Sequence, residues 1–425
     1  MPDSSIVLSK RNKSYFKASQ MLVFSVLFLI IAVVGIFFYN YFLEKNTKID
    51  SRLQTKLEKN TKSKQDDKDS TDTQNSPIIS VDQNKPQDIF IGLSSFTSTG
   101  FVNTSNSPIN LFTGLKVADD NKNNLRIRPW AVMIKNRPQD RPQIAISKAD
   151  IVYEAVDELG TTSLLGIFYE NRPVEIGPIA DLKYYFASFA LDYSPFLIFN
   201  SGPESSVDKP NLVDEKVDVY KFIGSYGLYS ISQDKNGDKV FSNIVNGSQT
   251  QSFLNIGKLY SYLGKIYGSY LWADWDNYTS WDFKEDKPNP IVKEFSFNFW
   301  DLSDYKVKWV YNQGQNNYLR SQGGLIFTDK KNGEQVKAKN IILLFVKESQ
   351  TSDAYSNLKY DLVGEGDAYF YLDGKYIKGT WKKLTATSQI KFYDSNKKEM
   401  KFNRGSTWVE MLPAKSKIKV INSTN

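Results

Sequence analysis

The chain has 425 residues, enough for two or three domains, and a modest net charge of +7 carried by scattered lysines. It contains no cysteine and no histidine. Disulfides, thiolate nucleophiles, Cys- or His-bound metals, Ser-His-Asp chemistry and imidazole acid–base catalysis are therefore excluded, which leaves carboxylates, Lys, Tyr, Ser/Thr or an oxygen-ligated ion for any catalysis.

Residues 1–20 are polar and basic, with Lys10, Arg11, Lys13 and Lys17. Residues 21–43, MLVFSVLFLIIAVVGIFFYNYFL, carry no charge. As a helix they would span roughly 35 Å, enough for a hydrocarbon core of ~30 Å. The run is longer than a signal-peptide core and ends in bulky aromatics suited to a membrane interface. The basic flank on its N-terminal side predicts a cytoplasmic N-terminus, with everything after Leu43 outside the cell membrane. Residues 44–107 are rich in Lys, Asp, Ser, Thr and Asn and poor in large apolar side chains, as a flexible tether requires. Such a coil would hold its ends roughly 45 Å apart.

A first folded domain is expected over residues 108–290. The apolar runs 131–134, 151–156 and 164–169 predict strands, and RPQDRP (137–142) between the first two must be a loop, because proline removes a ladder donor. After Gly177-Pro178 the spacing of Leu182, Tyr185, Phe186, Phe189 and Tyr193 predicts a helix, and 195–200 returns to strand. A second helix face follows in Ile256, Leu259, Tyr260, Leu263 and Ile266, with Gly268 as its cap. WADWDNYTSWDF then offers either a sugar-stacking platform or an aromatic cluster at the edge of a core.

From residue 291 to 425 the pattern is all-β. Alternation at 295–299 and 305–311, an apolar run at 341–346, and strands at 388–393, 407–411 and 418–421 suggest a meander forming a sandwich or partly open barrel. Asp373-Gly374 between 367–372 and 375–383 is a hairpin turn signal. The whole reads as α+β: a mixed α/β sheet domain, then a β domain, after one transmembrane helix.

NLFTGLKV, RPWAVMIKNRPQDRPQ, KADIVYEAV and EIGPI in the first part resemble the YerB-like envelope proteins, a family of unknown function. So do WVYNQGQNNYLR, AKNIILLFV, DLVGEGDAYFYLDGKYIKGTWKK and FNRGSTWVEMLP in the second. The resemblance spans residues 110–413 and implies a two-domain extracytoplasmic protein, usually a lipoprotein; here a membrane helix stands in for the lipidated cysteine. It implies no reaction. The family pattern has an arginine where Ser163 stands, an arginine-bearing run in place of Ala180 to Lys183, and a histidine near Asn200. If those groups bind an anion, this chain should bind it weakly.

Candidate catalytic residues are Glu154 and Asp181, a carboxylate pair that would suit glycan hydrolysis at a separation of about 5–9.5 Å. The competing expectation is that Glu154 faces solvent or pairs with Arg128 or Arg141. Candidate binding residues are Asn136, Arg137, Arg141, Glu158, Lys183 and Asn200. No metal or cofactor is expected, and an outward-facing chain without a basic stripe argues against nucleic acid. The function expected is a membrane-anchored binding or scaffold protein for an envelope protein or cell-wall polymer. A carboxylate-dependent wall hydrolase or lyase, and a weak binder of small anions, are the alternatives.

Overall fold

The computed structural model describes residues 108–424 apart from 158–159, 210, 247–248, 268–269, 273–277 and 414–420. The predicted membrane segment 21–43, the basic N-terminus, the tether 44–107, Glu158 and Gly268 lie outside the described residues. Among the described residues no helix is long and apolar enough to cross a membrane.

The central element is a ten-stranded sheet. From one edge its strands are Lys391–Asp394, Lys375–Lys383, Gly364–Leu372, Asn340–Val346, Thr407–Pro413, Ile151–Val156, Thr162–Phe168, Trp130–Lys135, Phe196–Phe199 and Tyr229–Ser232. Strand Thr407–Pro413 pairs in parallel with Asn340–Val346 on one side and with Ile151–Val156 on the other. Residues on both sides of position 290 thus share one sheet. The meander expected for the C-terminal part is interrupted there, because its last long strand inserts between the two halves. An apolar run such as TWVEMLP shows that a strand is covered on both faces, but not which strands flank it.

The N-terminal half of the sheet is mixed, as expected: a hairpin from Ile151–Val156 and Thr162–Phe168, with Trp130–Lys135, Phe196–Phe199 and Tyr229–Ser232 mutually parallel. A six-stranded sheet holds Leu325–Ile326, Asn317–Gln322, Val307–Asn312, Val292–Phe297 and Ile421–Thr424, with Lys337–Ala338 paired to the Asn317 strand. The Asp373-Gly374 turn forms where its sequence places it; both residues have positive φ (58° and 72°), which a two-residue hairpin of this type requires.

Side-chain alternation sorts the two faces of the large sheet. Tyr153 stacks on Phe189 of helix Tyr184–Leu191, with ring centroids 4.3 Å apart. Glu154, Trp408 and Glu410 turn the other way, toward Trp309 and Arg320 of the six-stranded sheet. Phe295 and Tyr371, 3.5 Å apart and stacked, continue that contact between the sheets. Helix Ile256–Ile266 begins at Asn255, whose side chain accepts from the Lys258 amide. Trp272 packs against Phe112, Tyr169 and Tyr278, and Trp281 against Phe392 and Phe402. Both of these indoles belong to the core, and Trp275 between them lies outside the described residues.

Candidate functional site

Glu154 and Glu410 stand opposite each other in register on neighbouring parallel strands, so their side chains leave the sheet on one face. Arg320 descends between them from the second sheet. Its Nη2 donates to Glu154 Oε2 and its Nη1 to Glu410 Oε1 at 2.6 Å. All three side chains are completely buried. The guanidinium also lies 4.4 Å from the Trp408 ring centroid and 5.1 Å from those of Trp309 and Phe327, a setting in which ring quadrupoles replace part of its lost hydration.

The remaining oxygen of Glu154, Oε1, accepts from Asn136 Nδ2 (2.9 Å), Thr162 Oγ1 (2.7 Å) and Gln322 Nε2 (2.8 Å). Glu154 therefore neither faces solvent nor pairs with Arg128 or Arg141. Its counter-ion comes from a strand 166 residues away. Arg128 instead donates to the Ser194 carbonyl and hydroxyl.

Glu410 is less well served. Trp309 Nε1 donates to its Oε1 at 3.0 Å, and Oε2 has no hydrogen-bond partner among the described residues. Burial pushes its carboxyl up to about 8, with Arg320 pulling down and the Glu154 charge pushing up. The protonated form resolves the arithmetic of two carboxyls around one cation. The pH dependence follows. Below about 4.5, the ordinary value, both folded and unfolded chains hold this proton; between there and about 8 only the folded chain does. Unfolding then releases a proton, so stability falls as pH rises through that window, by on the order of a few kcal/mol. Asp150, buried and pushed up to about 6, acts in the same direction at the acid end. Glu410→Gln mimics the protonated acid and should flatten the decline between pH 6 and 8 in denaturant titrations. An unchanged slope would remove Glu410 as its source.

Asp181 belongs to a different cluster. It accepts from Asn200 Nδ2 (2.7 Å), the Ser201 amide (3.1 Å) and Ser201 Oγ (2.7 Å), which ties the turn before the helix to the end of strand Phe196–Phe199. Lys183 lies 3.6 Å from Asp157, whose other oxygen accepts from Ser163 Oγ at 2.6 Å. Of the residues singled out from sequence, Asn136, Arg141 and Glu154 share one network and Asp181 and Asn200 another, while Lys183 pairs with Asp157 and Arg137 with Asp140. Glu154 and Asp181 share no hydrogen-bonded partner among the described residues.

The RPQDRP loop folds onto the Glu154 network. Asn136 Oδ1 accepts from Gln143 Nε2 (2.9 Å) and Arg141 Nε (3.1 Å). Arg137 pairs with Asp140 at 2.7 Å, and the contact raises its pKa; Gln251 donates to the same carboxylate at 2.9 Å. Arg141 spans the two halves, donating to the Asn136 carbonyl (Nη2, 2.7 Å) and to the Asp304 carbonyl (Nη1, 3.0 Å). Its guanidinium lies 5.1 Å from the Tyr305 ring centroid. Burial lowers its pKa, with Glu154 offsetting part of the effect. Across from it is the Gln322-Gly323-Gly324-Leu325 turn. Gly323 has φ +61°, and a Cβ there would sit 2.7 Å from the Asp304 carbonyl oxygen, so only glycine lets these backbones approach. Between loop and turn lies a cleft of about 180 Å³ lined by Pro138, Arg141, Pro142 and Asp304 on one side and by Gln322, Gly323 and residues 325–328 on the other.

Sequence reading missed Arg320, Gln322 and Glu410. A signal existed: in NNYLRSQ the inward-facing alternate positions are Tyr318, Arg320 and Gln322, and a charge on the buried face of a strand demands a buried counter-charge.

Residues 112–260 match the family described as "Protein of unknown function (DUF3048) N-terminal domain", and residues 296–409 match "Protein of unknown function (DUF3048) C-terminal domain". A Bacillus subtilis (strain 168) protein named "Putative lipoprotein YerB" is 26% identical over 293 residues, which is 67% of this chain and 81% of that protein. The crystal structure of YerB protein from Bacillus subtilis superposes with a TM-score of 0.62 at 20% identity, over 74% of this chain and 99% of the solved one. That structural likeness is one of fold. With both regions matched in order along the sequence, the chain belongs to the YerB-like family.

Proposed function

We propose that this protein is a single-pass, membrane-tethered extracytoplasmic protein that binds an envelope protein or cell-wall polymer without catalysing a reaction on it. The observation that carries the reading is the fate of Glu154. It was the sequence's best candidate for a general acid, and each of its oxygens is occupied by donors in a fully buried ion-pair network. A glycan-cleaving acid needs a route to its substrate and an open partner carboxylate. Asp181 is instead committed to Asn200 and Ser201. The lipoprotein name of the Bacillus relative supports an envelope location, and the apolar segment 21–43 supports a membrane anchor with the folded part outside.

The test has two arms. External protease on intact spheroplasts should cut within the tether after the anchor and release a soluble piece of roughly 360 residues; a protected C-terminal region would contradict the topology. Purified full-length protein should co-sediment with purified cell-wall sacculi or cross-link to an envelope protein in membranes. Failure in both settings would overturn the binding reading.

A further inference from the structure

In a larger open cavity of about 340 Å³, Lys347 lies 3.6 Å from Asp361, and Lys382 lies 3.8 Å from Glu365 on its wall. Arg141 differs. A guanidinium has five N–H donors. Here Nε–H and one hydrogen of Nη2 serve Asn136, and one hydrogen of Nη1 serves the Asp304 carbonyl. One hydrogen on each Nη is left, and no carboxylate forms an ion pair with this side chain among the described residues. A half-buried guanidinium that keeps an unused N–H on each terminal nitrogen can still grip a planar two-oxygen anion. The ring of buried Tyr305 lies under the guanidinium, and its hydroxyl has no hydrogen-bond partner among the described residues.

The walls decide which anion. Pro138, Pro142, Leu325, Ile326 and Phe327 give an apolar lining, with Leu325 and Ile326 75% and 64% exposed. The Asp304 carboxylate also lines the cleft without pairing with Arg141, and it repels a dianion such as phosphate about twice as strongly as a singly charged carboxylate. The volume of about 180 Å³ corresponds to about six waters, room for one residue and too little for a whole drug-sized ligand. The ladder supplies a backbone feature too. Leu325 pairs with Gln322, and the Phe327 amide donates to the Arg320 carbonyl, so Ile326 between them turns its N–H and C=O away from its partner strand. Strand Leu325–Ile326 is the edge of its sheet, where an extended chain can add.

We propose that this cleft captures the C-terminal residue of an extended peptide, its carboxylate on Arg141 and its apolar side chain against Pro138, Pro142 and Leu325–Phe327. The assignment rests on the binding reading above and names the ligand class for it. The test is isothermal titration of the purified full-length protein in detergent with three probes: N-acetyl-Leu-Val as the free acid, the same dipeptide as its C-terminal amide, and inorganic phosphate. The free acid should bind at least tenfold more tightly than the amide, and phosphate no better than the amide. Arg141→Gln should abolish the preference for the acid. Because Arg141 also holds two backbone carbonyls, Leu325→Asp provides a second variant at an exposed position; it should weaken the acid at least tenfold with the melting temperature unchanged. Equal binding of acid and amide, no binding of either, tighter binding of phosphate, or an indifferent Leu325→Asp would each overturn the assignment. If the chain is still retained on sacculi or envelope protein in that case, the cleft assignment falls and the binding function stands.

Discussion

Replacing Arg320 with methionine should lower the unfolding free energy by about 3–5 kcal/mol, a large fraction of the stability of a typical folded unit. The guanidinium is the only cation hydrogen-bonded to Glu154 and Glu410 among the described residues, and both acids are fully buried. Without it, two carboxyls face each other across a parallel strand pair with only neutral donors for support. Methionine fills much of the volume and keeps contact with Trp309, Phe327 and Trp408, so the loss reports mainly the uncompensated charge. Combining Arg320→Met with Glu154→Gln should recover part of the deficit, because the remaining acid can be neutral and the amide keeps hydrogen-bonding partners. Chemical denaturation of the four proteins gives the coupling directly. A single Arg320→Met variant within about 1 kcal/mol of the parent would show that the triad is energetically idle.

The second large effect is expected at Lys383→Met. Lys383 ends strand Lys375–Lys383, and Asp192 follows helix Tyr184–Leu191; the two form an ion pair with both side chains fully buried. Lys383 also donates to the Ser388 carbonyl at 2.6 Å, and Asp192 accepts from the Ile390 amide at 3.1 Å. Burial raises the pKa of Asp192, and the Lys383 charge is the main force holding it down. Removing that charge should cost about 3–5 kcal/mol at neutral pH. The deficit should shrink in acid. With its folded pKa further raised above the unfolded value, Asp192 keeps its proton only in the folded chain, and stability is lost as pH rises through that interval. Melting curves of the variant and parent at pH 5 and pH 8 check this: the gap should be larger at pH 8. An equal gap would mean that Asp192 does not titrate when its partner is removed.

These two ion pairs also explain how much of the molecule was legible beforehand. Local features were readable because they are set by local physics. Strand Ile151–Val156 is bounded by its own apolar run, helix Ile256–Ile266 by its 3.6-residue periodicity, and the 372–375 turn by Asp373-Gly374. Long-range pairing was not. Nothing in the local pattern of Thr407–Pro413 shows that it lies beside Ile151–Val156, and the buried partner of Glu154 is found only when the second sheet is laid on the first. The candidate site shows the same limit. Arg137 and Arg141 stood out as a pair in RPQDRP, but Arg137 is spent on Asp140. Arg141 acquires its cleft only when the Gly323-Gly324 turn, some 180 residues later, closes over it.

The functional reading turns on whether Glu154 serves chemistry or architecture, and one incubation separates the two. Purified full-length protein and its Glu154→Gln variant are mixed with purified sacculi, and the supernatant is analysed for soluble wall fragments by chromatography and mass spectrometry. Binding without catalysis predicts retention of the parent on its target and no fragments above the protein-free control. For Glu154→Gln it predicts a lowered melting temperature and the same absence of fragments. Fragments released by the parent and abolished by Glu154→Gln, in a variant that still melts like the parent, would contradict the account.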